Sequence, residues 1–232
     1  MKIFGNGFIG KKFKKAKFKF KDKYIIYASG ISNSKITNKK DLLRERYLIK
    51  KFIKKFGNKK IIIYISTMSV ADNSFKKTDY VKNKLFIENL IKSHFKKYLI
   101  IRLTQIVGNN SNPHTITNFL FTKIKTKNFF HLWQGATRNL IDIDDLIKIL
   151  RKIVSKKFKK SKTINIYNTN SIKVKKIVII LSKILKVKPK FKLIKQRDNK
   201  NYIYKKNSKK YQFSNIFKDK NYNKKVLNKY YK

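Results

Sequence analysis

The chain opens with Met1-Lys2-Ile3-Phe4-Gly5-Asn6-Gly7-Phe8-Ile9-Gly10, and this stretch decides its fold class. The sequence has only seven glycines in 232 residues, and three of them stand here with G-x-G-x-x-G spacing. A short apolar segment precedes them, and a segment with helical character, residues 8–17, follows. A strand, a glycine loop and a helix in this order are typical of a dinucleotide-binding unit. A simple glycine hairpin loop is the alternative interpretation.

Each glycine of the loop would have its own role in such a unit. Gly5 would allow the tight turn, Gly7 would let the backbone approach a pyrophosphate, and Gly10 would let helix and strand pack closely. The phosphates would then meet the amide donors at the N-terminus of the helix. We therefore predict that six residues bind the cofactor: Gly5, Asn6, Gly7, Phe8, Ile9 and Gly10.

The charge of the chain points to a different function at first sight. Its 61 basic and 11 acidic residues give a formal net charge of +50, which would normally suggest nucleic acid or an anionic membrane as partner. Yet nearly all of the basic residues are Lys, whereas base readers and phosphate clamps favour the bidentate fork of Arg. Lys, Asn, Ile, Phe and Tyr have A/T-rich codons. We expect the charge to reflect an A/T-rich genome, with no specific nucleic-acid partner.

Composition also bears on the compartment. The chain has no cysteine, which fits a reducing cytoplasm, and its N-terminus runs directly into the glycine loop without a signal-peptide segment. The longest apolar runs, at 61–65 and 177–181, are far too short to span a bilayer. The three histidines are widely separated along the chain, and we expect no metal site. These features predict a soluble cytoplasmic protein.

Hydrophobic periodicity predicts alternating strands and helices. Strands are expected at 24–30, 60–65, 98–103, 129–133, 163–167 and 191–194. Helices are expected at 41–56, 80–95, 115–127, 143–155 and 172–185. On the helix 41–56 the apolar positions near helical spacing are Leu42, Leu43, Tyr47, Ile49 or Phe52, Ile53 and Phe56. This order predicts an α/β fold with a doubly wound parallel sheet, and residues 196–232 show little pattern.

Two further segments carry chemistry. The strand 60–65 ends in Ser66-Thr67, and Tyr80 and Lys84 lie one helical turn apart at the start of the next helix. Lys84 would favour the ionised form of the Tyr80 phenol and hold a nicotinamide ribose, while Thr67 would share the substrate oxygen with Tyr80. The Y-x-x-x-K spacing occurs three times, but only this pair begins a helix after a buried strand. A surface Tyr and Lys on an amphipathic helix is the alternative.

These motifs, in this order, resemble the extended short-chain dehydrogenases/reductases, or NAD-dependent epimerase/dehydratases, over about residues 1–185. The resemblance rests on the glycine loop, Ala28-Ser29-Gly30, Ile65-Ser66-Thr67, Tyr80 with Lys84, and two later segments at 102–108 and 138–146. It implies a Rossmann-like fold and NAD or NADP as cofactor. It also implies catalytic Thr67, Tyr80 and Lys84, and cofactor contacts from Ala28, Ser29, Gly30, Ser66 and Lys84.

In family members that act on nucleotide-sugars, residues at the places of Gln105, Asn118 and Arg138 line the substrate pocket. The resemblance therefore implies an epimerase or reductase of nucleotide-sugar or surface-polysaccharide metabolism. Met68-Ser69 stands where sugar dehydratases carry Asp-Glu, which disfavours a dehydratase. The family's usual second and third strands are missing before Tyr24, and Asp22 is the only nearby carboxylate, so NAD and NADP are not distinguished.

The resemblance also implies an organisation. We expect an NAD(P)-binding domain at 1–168, with 109–135 contributing to the substrate pocket, and a small C-terminal substrate-binding lobe at 169–232. Family members often dimerise through the helices that correspond to 41–56 and 80–95, so a homodimer is expected. A nucleic-acid-associated basic protein and a catalytically silent dinucleotide sensor of the same fold are the alternatives.

Overall fold

A computed structural model describes residues 2–18, 23–34, 36, 38–57, 59–71, 78–155, 160–195 and 214–232. The chain forms two compact units. Unit 1 comprises Met1–Leu103 and Leu146–Ile166, and unit 2 comprises Thr104–Asp145 and Tyr167–Lys232. The division differs from the expected one at 168, because the segment 104–145 groups with the C-terminal residues and not with the glycine loop.

Strands and helices alternate along most of the chain. The strands are β1 (Lys2–Phe4), β2 (Tyr24–Tyr27), β3 (Ile61–Thr67), β4 (Tyr98–Leu103), β5 (Gln105–Val107), β6 (Phe130–Trp133), β7 (Thr137–Arg138), β8 (Leu140–Asp142), β9 (Lys162–Ile166), β10 (Ile172–Lys173) and β11 (Phe191–Ile194). The helices are α1 (Phe8–Lys15), α2 (Lys39–Phe56), α3 (Asp79–His94), α4 (Ile116–Lys125), α5 (Ile143–Ser155), α6 (Val174–Leu185), α7 (Ser214–Phe217) and α8 (Tyr222–Tyr231). A short 3-10 turn, Met68–Ala71, follows β3.

Unit 1 is built on a five-stranded sheet in the order β1-β2-β3-β4-β9, and every neighbouring pair is parallel. The predicted parallel sheet is confirmed. The strand β3 lies at its centre and is almost wholly buried, which explains why its sequence is continuously apolar rather than alternating.

The helices α2 and α3 cover one face of this sheet. Their buried side chains pack against Ile25, Ile62 and Ile100, which share a face by the two-residue periodicity of strands. This core is rich in aromatic rings, and Phe52 of α2 contacts Tyr27 with 4.8 Å between ring centroids. Burial of this face holds α2 and α3 in place above the sheet.

The other face is buried as deeply. Ile26, Ile63 and Ile101 point to it and are all fully buried. Arg151 of α5 donates to the carbonyl of Ala16, directly after α1, so these two helices are neighbours. We assign α1 and α5 to this second face, which makes the sheet doubly wound as predicted.

The described residues of unit 2 form three small sheets that the sequence pattern did not separate. The pairs β5–β8 and β6–β11 are parallel, and β7–β10 is antiparallel. The predicted strands at 129–133 and 191–194 therefore exist, but they pair with each other and not with the central sheet. The helices α7 and α8 lie in the region 196–232, where no element was expected.

The buried face of α2 also differs from the prediction. The residues it buries are Leu42, Glu45, Ile49, Phe52 and Phe56. Leu43 and Tyr47, expected on the apolar stripe, are each 61% exposed. Asn38 caps the helix by accepting a hydrogen bond from the amide of Lys40. Glu45 therefore occupies a position on the face of α2 that otherwise buries apolar side chains.

Candidate functional site

Two glycines of the opening loop are required by close backbone contacts. Gly5 has φ of +132°, and a Cβ there would lie 2.3 Å from the carbonyl oxygen of Ala28. A Cβ on Gly10 would lie 2.4 Å from the carbonyl oxygen of Gly5. The loop is therefore packed against the end of β2 on one side and against its own helix on the other.

Gly7 has a different surrounding. It is the N-cap residue of α1 with φ of −72°, and a Cβ there would meet no atom within 4 Å. No side chain of the described residues caps the helix, so its first amide donors keep their hydrogen-bonding capacity for a ligand. An absent side chain facing open space beside a helix N-terminus fits the close approach of a pyrophosphate.

The other predicted residues of the loop are placed beside it. Asn6 is exposed, and its side-chain oxygen accepts a 2.8 Å hydrogen bond from Lys14. Phe8 and Ile9 form the first turn of α1 and are half-buried. The residues present thus fit a dinucleotide, while Asp22, the carboxylate noted near the adenosine half, lies outside the described residues.

The segment after β2 connects the glycine loop with α3. The amide of Ala28 donates to the carbonyl of Phe4 at 2.7 Å, which sets this segment beside the loop. Gly30 is exposed, and a Cβ there would lie 2.4 Å from the Nζ atom of Lys84. Within unit 1 the structure therefore brings together three predicted elements: the loop, Ala28–Gly30 and Lys84.

Tyr80 and Lys84 lie on one face of α3. The Nζ atom of Lys84 is 5.5 Å from the centroid of the Tyr80 ring. Thr78 caps this helix by accepting from the amide of Val81, and Tyr80 is 6% exposed, packed beside Val70 of the 3-10 turn. The Y-x-x-x-K pair is therefore part of the interior and not the surface pair of the alternative interpretation.

Lys84 has a partner that the sequence reasoning missed. Its Nζ atom lies 2.7 Å from the Oε1 atom of Glu45, and the two side chains are only 3% and 2% exposed. The other oxygen of Glu45 accepts from Asn83 at 2.8 Å, and Asn83 accepts from Arg46 at 2.7 Å. A signal for this contact existed, because Glu45 is an acid at a helical spacing that otherwise selects apolar residues.

Two buried tyrosines, Tyr27 and Tyr64, lie within range of the charge of Glu45. Burial, and after it the charge of Glu45, raises the pKa of Tyr27 to about 12. The same two causes raise the pKa of Tyr64 well above its ordinary value. The Tyr64 hydroxyl is buried and, among the described residues, has no hydrogen-bond partner. Both phenols are therefore protonated at neutral pH.

The two hydroxyls at the end of β3 have different partners. Ser66, which is expected to contact the cofactor, donates to the carboxylate of Glu88 at 2.6 Å, and Arg102 binds the same carboxylate at 2.6 and 3.0 Å. The Thr67 hydroxyl lies 3.2 Å from both the hydroxyl and the amide nitrogen of Ser69. The Ser66 hydroxyl could therefore only accept a hydrogen bond from a cofactor. The Thr67 side chain is half-buried.

In unit 2, Asn118 holds a loop. Its amide nitrogen donates to the carbonyls of Asn110 and Asn112, each at 2.9 Å. Its oxygen accepts from the hydroxyl of Tyr231 in α8. Both polar atoms of the Asn118 side chain, which is predicted to contact the substrate, therefore form hydrogen bonds within unit 2. These bonds fix the shape of the loop 110–112.

The other two predicted substrate residues lie on short strands of the same unit. Gln105 begins β5, and its backbone N–H donates to the backbone carbonyl of Asn139. Arg138 lies on β7, half-buried, and its Nη1 atom donates to the carbonyl of Thr137. Both side chains are held on strands and not on loops.

An acidic cluster at the start of α5 anchors α8. Asp142 accepts from the amide of Asp144, which caps α5. Lys229 lies 2.7 Å from the carboxylates of both residues. Although burial opposes its charge, the hydrogen bonds to these carboxylates hold the pKa of Lys229 above its ordinary value.

No helix among the described residues is both long and apolar enough to cross a membrane.

Comparison with known proteins identifies the fold. The structure is similar to the UDP-glucose 4-epimerase of Thermus thermophilus in complex with NAD, with a TM-score of 0.59 and 12% identity over 81% of this chain and 69% of that one. It is similar to RMD from Pseudomonas aeruginosa complexed with NADPH, with a TM-score of 0.63 and 14% identity over 85% and 86%. The UDP-glucuronic acid 4-epimerase of Bacillus cereus in complex with NAD gives 0.62 and 18% over 75% and 62%.

Sequence comparison alone finds no relative. No protein-family model matches the chain, and no curated protein has a significant sequence match. At 12–18% identity the structural neighbours show the fold alone. That fold is the Rossmann-like one that the motifs predicted, so the resemblance is confirmed at this level.

Proposed function

We propose that this protein, which has the fold of NAD-dependent UDP-sugar epimerases, is an NAD(P)-dependent epimerase or reductase acting on a nucleotide-sugar. The observation that carries the proposal is the series of contacts that runs from the glycine loop, where Gly5 packs against Ala28, through Gly30 to Lys84 and Tyr80. It joins an open, uncapped helix N-terminus to a buried Tyr–Lys pair, and both lie in unit 1.

Different segments of unit 1 would hold different parts of the cofactor. The amides at Gly7 and the first turn of α1 would hold the pyrophosphate. Ala28–Gly30 would line the middle of the cofactor, and Lys84 would bind the nicotinamide ribose. Bound NAD or NADP would supply the hydride acceptor and donor, and the chain supplies position and field.

Tyr80 would act as the general acid and general base. Its phenol oxygen would take the proton from a sugar hydroxyl as the carbonyl forms, and return it when the carbonyl is reduced. Thr67 would donate a hydrogen bond to the same sugar oxygen.

Unit 2 would bind the nucleotide-sugar. We assign Arg138 and Gln105 to direct contacts with the substrate and Asn118 to shaping the loop 110–112. An Arg guanidinium matches a diphosphate in geometry as well as charge. Met68 and Ser69 offer no carboxylate for proton transfer at carbon, so water loss is disfavoured and epimerisation or reduction is retained.

The test begins with the cofactor and proceeds to the substrate. NADH and NADPH are titrated against the purified protein, and binding is followed by nicotinamide fluorescence. We expect at least one to bind with a micromolar dissociation constant, whereas no binding below the millimolar range by either would overturn the proposal. UDP-glucose, UDP-galactose and UDP-glucuronic acid are then supplied with the cofactor, and products are followed by proton NMR.

A silent sensor of the same fold makes a different prediction. It would bind the cofactor with the same affinity but convert no nucleotide-sugar, and Tyr80→Phe would leave its biological role unchanged. Turnover of any nucleotide-sugar that is lost in Tyr80→Phe separates the enzyme from the sensor.

A further inference from the structure

The contact that the sequence motifs did not predict is the buried ion pair of Lys84 with Glu45. We propose that Glu45 is a positioning residue, which holds the ammonium of Lys84 between Gly30 and the Tyr80 ring so that it can bind the cofactor ribose. The inference rests on the proposed function, because it assigns a role to Glu45 only through Lys84.

The location of the pair supports this role. A Cβ on Gly30 would lie 2.4 Å from the Nζ atom of Lys84 and 2.9 Å from the Oε1 atom of Glu45. The two charged groups therefore lie directly against the backbone of the segment assigned to the cofactor. Gly30 is itself exposed, so the ammonium lies one backbone layer below a surface that a ligand can reach.

The orientation of Glu45 is fixed by a second layer of contacts. One carboxylate oxygen accepts from Lys84 at 2.7 Å and the other accepts from Asn83 at 2.8 Å. Asn83 accepts in turn from Arg46, whose guanidinium lies 4.6 Å from the Phe86 ring centroid. With both oxygens bound, the carboxylate cannot rotate away from Lys84 without breaking a buried hydrogen bond.

The chemistry of an ammonium explains why such a partner is useful. Lys carries three donors on a flexible stem, and binding a fixed carboxylate orients the whole group. Glu45 occupies one donor of Lys84 and directs the others away from itself. A ribose, which presents neighbouring hydroxyl oxygens, is a ligand that such an oriented ammonium can bind.

Burial makes a purely stabilising role a weak explanation. A buried ion pair is often no more stable than apolar side chains of similar volume, because both charges lose their hydration. The chain has only 11 acidic residues against 61 basic ones, yet one of the acids lies in an apolar stripe of α2 with its side chain only 2% exposed. A requirement for an oriented Lys84 accounts for its presence there.

The test is a double-mutant cycle on cofactor affinity. The wild type, Glu45→Gln, Lys84→Met and the double variant are titrated with NADH or NADPH, whichever the wild type binds. Glu45→Gln keeps the shape and a hydrogen-bond acceptor but removes the charge. We expect it to weaken binding about 10-fold, and to change binding less than about 2-fold when Lys84 is already Met.

The matched control is Asp41→Asn, which removes an acid from an exposed position of the same helix. It should change affinity less than about 2-fold, because exposed charges are largely screened. A similar loss in Asp41→Asn and Glu45→Gln would show a general effect of net charge and overturn the inference. Thermal unfolding of each variant is measured in parallel.

The outcomes separate the two proposals. If the wild type binds neither cofactor, the proposed function fails and the role of Glu45 fails with it. If the wild type binds and folded Glu45→Gln binds equally well, only the role of Glu45 is overturned. Should Glu45→Gln not fold, Glu45→Asp retains the charge one methylene further from Lys84, and wild-type affinity in that variant would also overturn the inference.

Discussion

The Ser66 hydroxyl lies 2.6 Å from the Oε1 atom of Glu88 and donates a buried hydrogen bond to it. Arg102 binds both oxygens of the same carboxylate, so β3, β4 and α3 are joined at one point. Thr67 is the next residue after Ser66. The buried hydrogen bond of Ser66 therefore fixes the backbone next to Thr67, whose hydroxyl is proposed to be catalytic.

The two hydroxyls should therefore respond differently to removal. Thr67→Val should lower turnover of a nucleotide-sugar by about 10- to 1000-fold, the scale of losing a positioned donor, with little change in stability. Ser66→Ala should lower the free energy of unfolding by about 1–3 kcal/mol, because a buried carboxylate oxygen loses a donor. Turnover by NMR and urea unfolding measure the two effects. A larger loss of turnover in Ser66→Ala would transfer the catalytic role to Ser66.

Tyr80→Phe removes one oxygen from the interior of unit 1. We expect turnover to fall about 100- to 10,000-fold, since the variant lacks the hydroxyl that is proposed to transfer the proton. The dissociation constant of the cofactor should change little, because the ring remains beside Lys84. Fluorescence titration and NMR on the same sample check both parts. Unchanged turnover would exclude Tyr80 as the acid/base.

Gly7 and Gly10 provide a matched pair of Gly→Ala changes. Gly10→Ala should destabilise or unfold the protein, because the new Cβ would lie 2.4 Å from a backbone oxygen. Gly7→Ala meets no atom within 4 Å and has an ordinary φ, so its thermal unfolding should match the wild type. Its cofactor affinity should nevertheless fall at least about 10-fold, as a methyl group would stand where the pyrophosphate approaches. Wild-type affinity in Gly7→Ala would contradict the assignment of this loop.

Stability should fall at alkaline pH because of the buried tyrosines. In the unfolded chain a phenol loses its proton near pH 10, whereas burial and the charge of Glu45 raise the pKa of Tyr27 to about 12 and that of Tyr64 well above its ordinary value. Above about pH 10 the unfolded state therefore binds fewer protons than the folded one, and stability decreases by about 1.4 kcal/mol per pH unit for each such group.

Tyr64→Phe isolates this effect. At pH 7 the variant should be as stable as the wild type or more so, because it removes a buried hydroxyl that lacks a partner among the described residues. Above about pH 10 the advantage of the variant should grow. Urea unfolding at pH 7, 10 and 11 measures it, and an advantage independent of pH would contradict the buried neutral phenol.

An exposed apolar pair on α2 bears on the expected homodimer. Leu43 and Tyr47 lie one turn apart and are each 61% exposed. If two copies associate through α2 and α3, Leu43→Glu should dissociate them, and sedimentation at micromolar concentration should show the change from dimer to monomer. Lys55→Glu is the control, because Lys55 is exposed on the same helix but lies about 120° around its axis from Leu43. A wild-type monomer would remove the dimer without affecting the catalytic assignments.

The features predicted from sequence are those that depend on local pattern. The glycine spacing, the continuous apolar run of β3 and the Tyr80–Lys84 spacing each lie within a few residues, and the parallel sheet follows from their order. The face of α2 was partly wrong because both sides of this helix carry apolar residues. Only packing against β2 and β3 decides that Ile49 is buried and Leu43 is not.

Features that depend on distant partners escaped prediction. Glu45 and Lys84 are separated by 39 positions, and neither neighbourhood indicates the other. The helix α8 was hidden because lysines and asparagines dominate its segment, although Tyr222, Val226 and Leu227 follow helical spacing and are buried. An acid in an apolar stripe and a spaced aromatic–aliphatic set in a basic tail are the two signals that would have found them.

The strand order of the central sheet has a consequence for biosynthesis. The strands β1 to β4 are neighbours in the sheet in the same order as in the chain, and they end at Leu103. Each new strand emerging from the ribosome therefore finds its partner already present, and the Tyr–Lys helix between β3 and β4 is enclosed as that pairing forms. The second neighbour of β4, however, is β9, which is synthesised about 60 residues later. Until then β4 is an exposed edge, and we expect the nascent chain to be most open to aggregation at this strand.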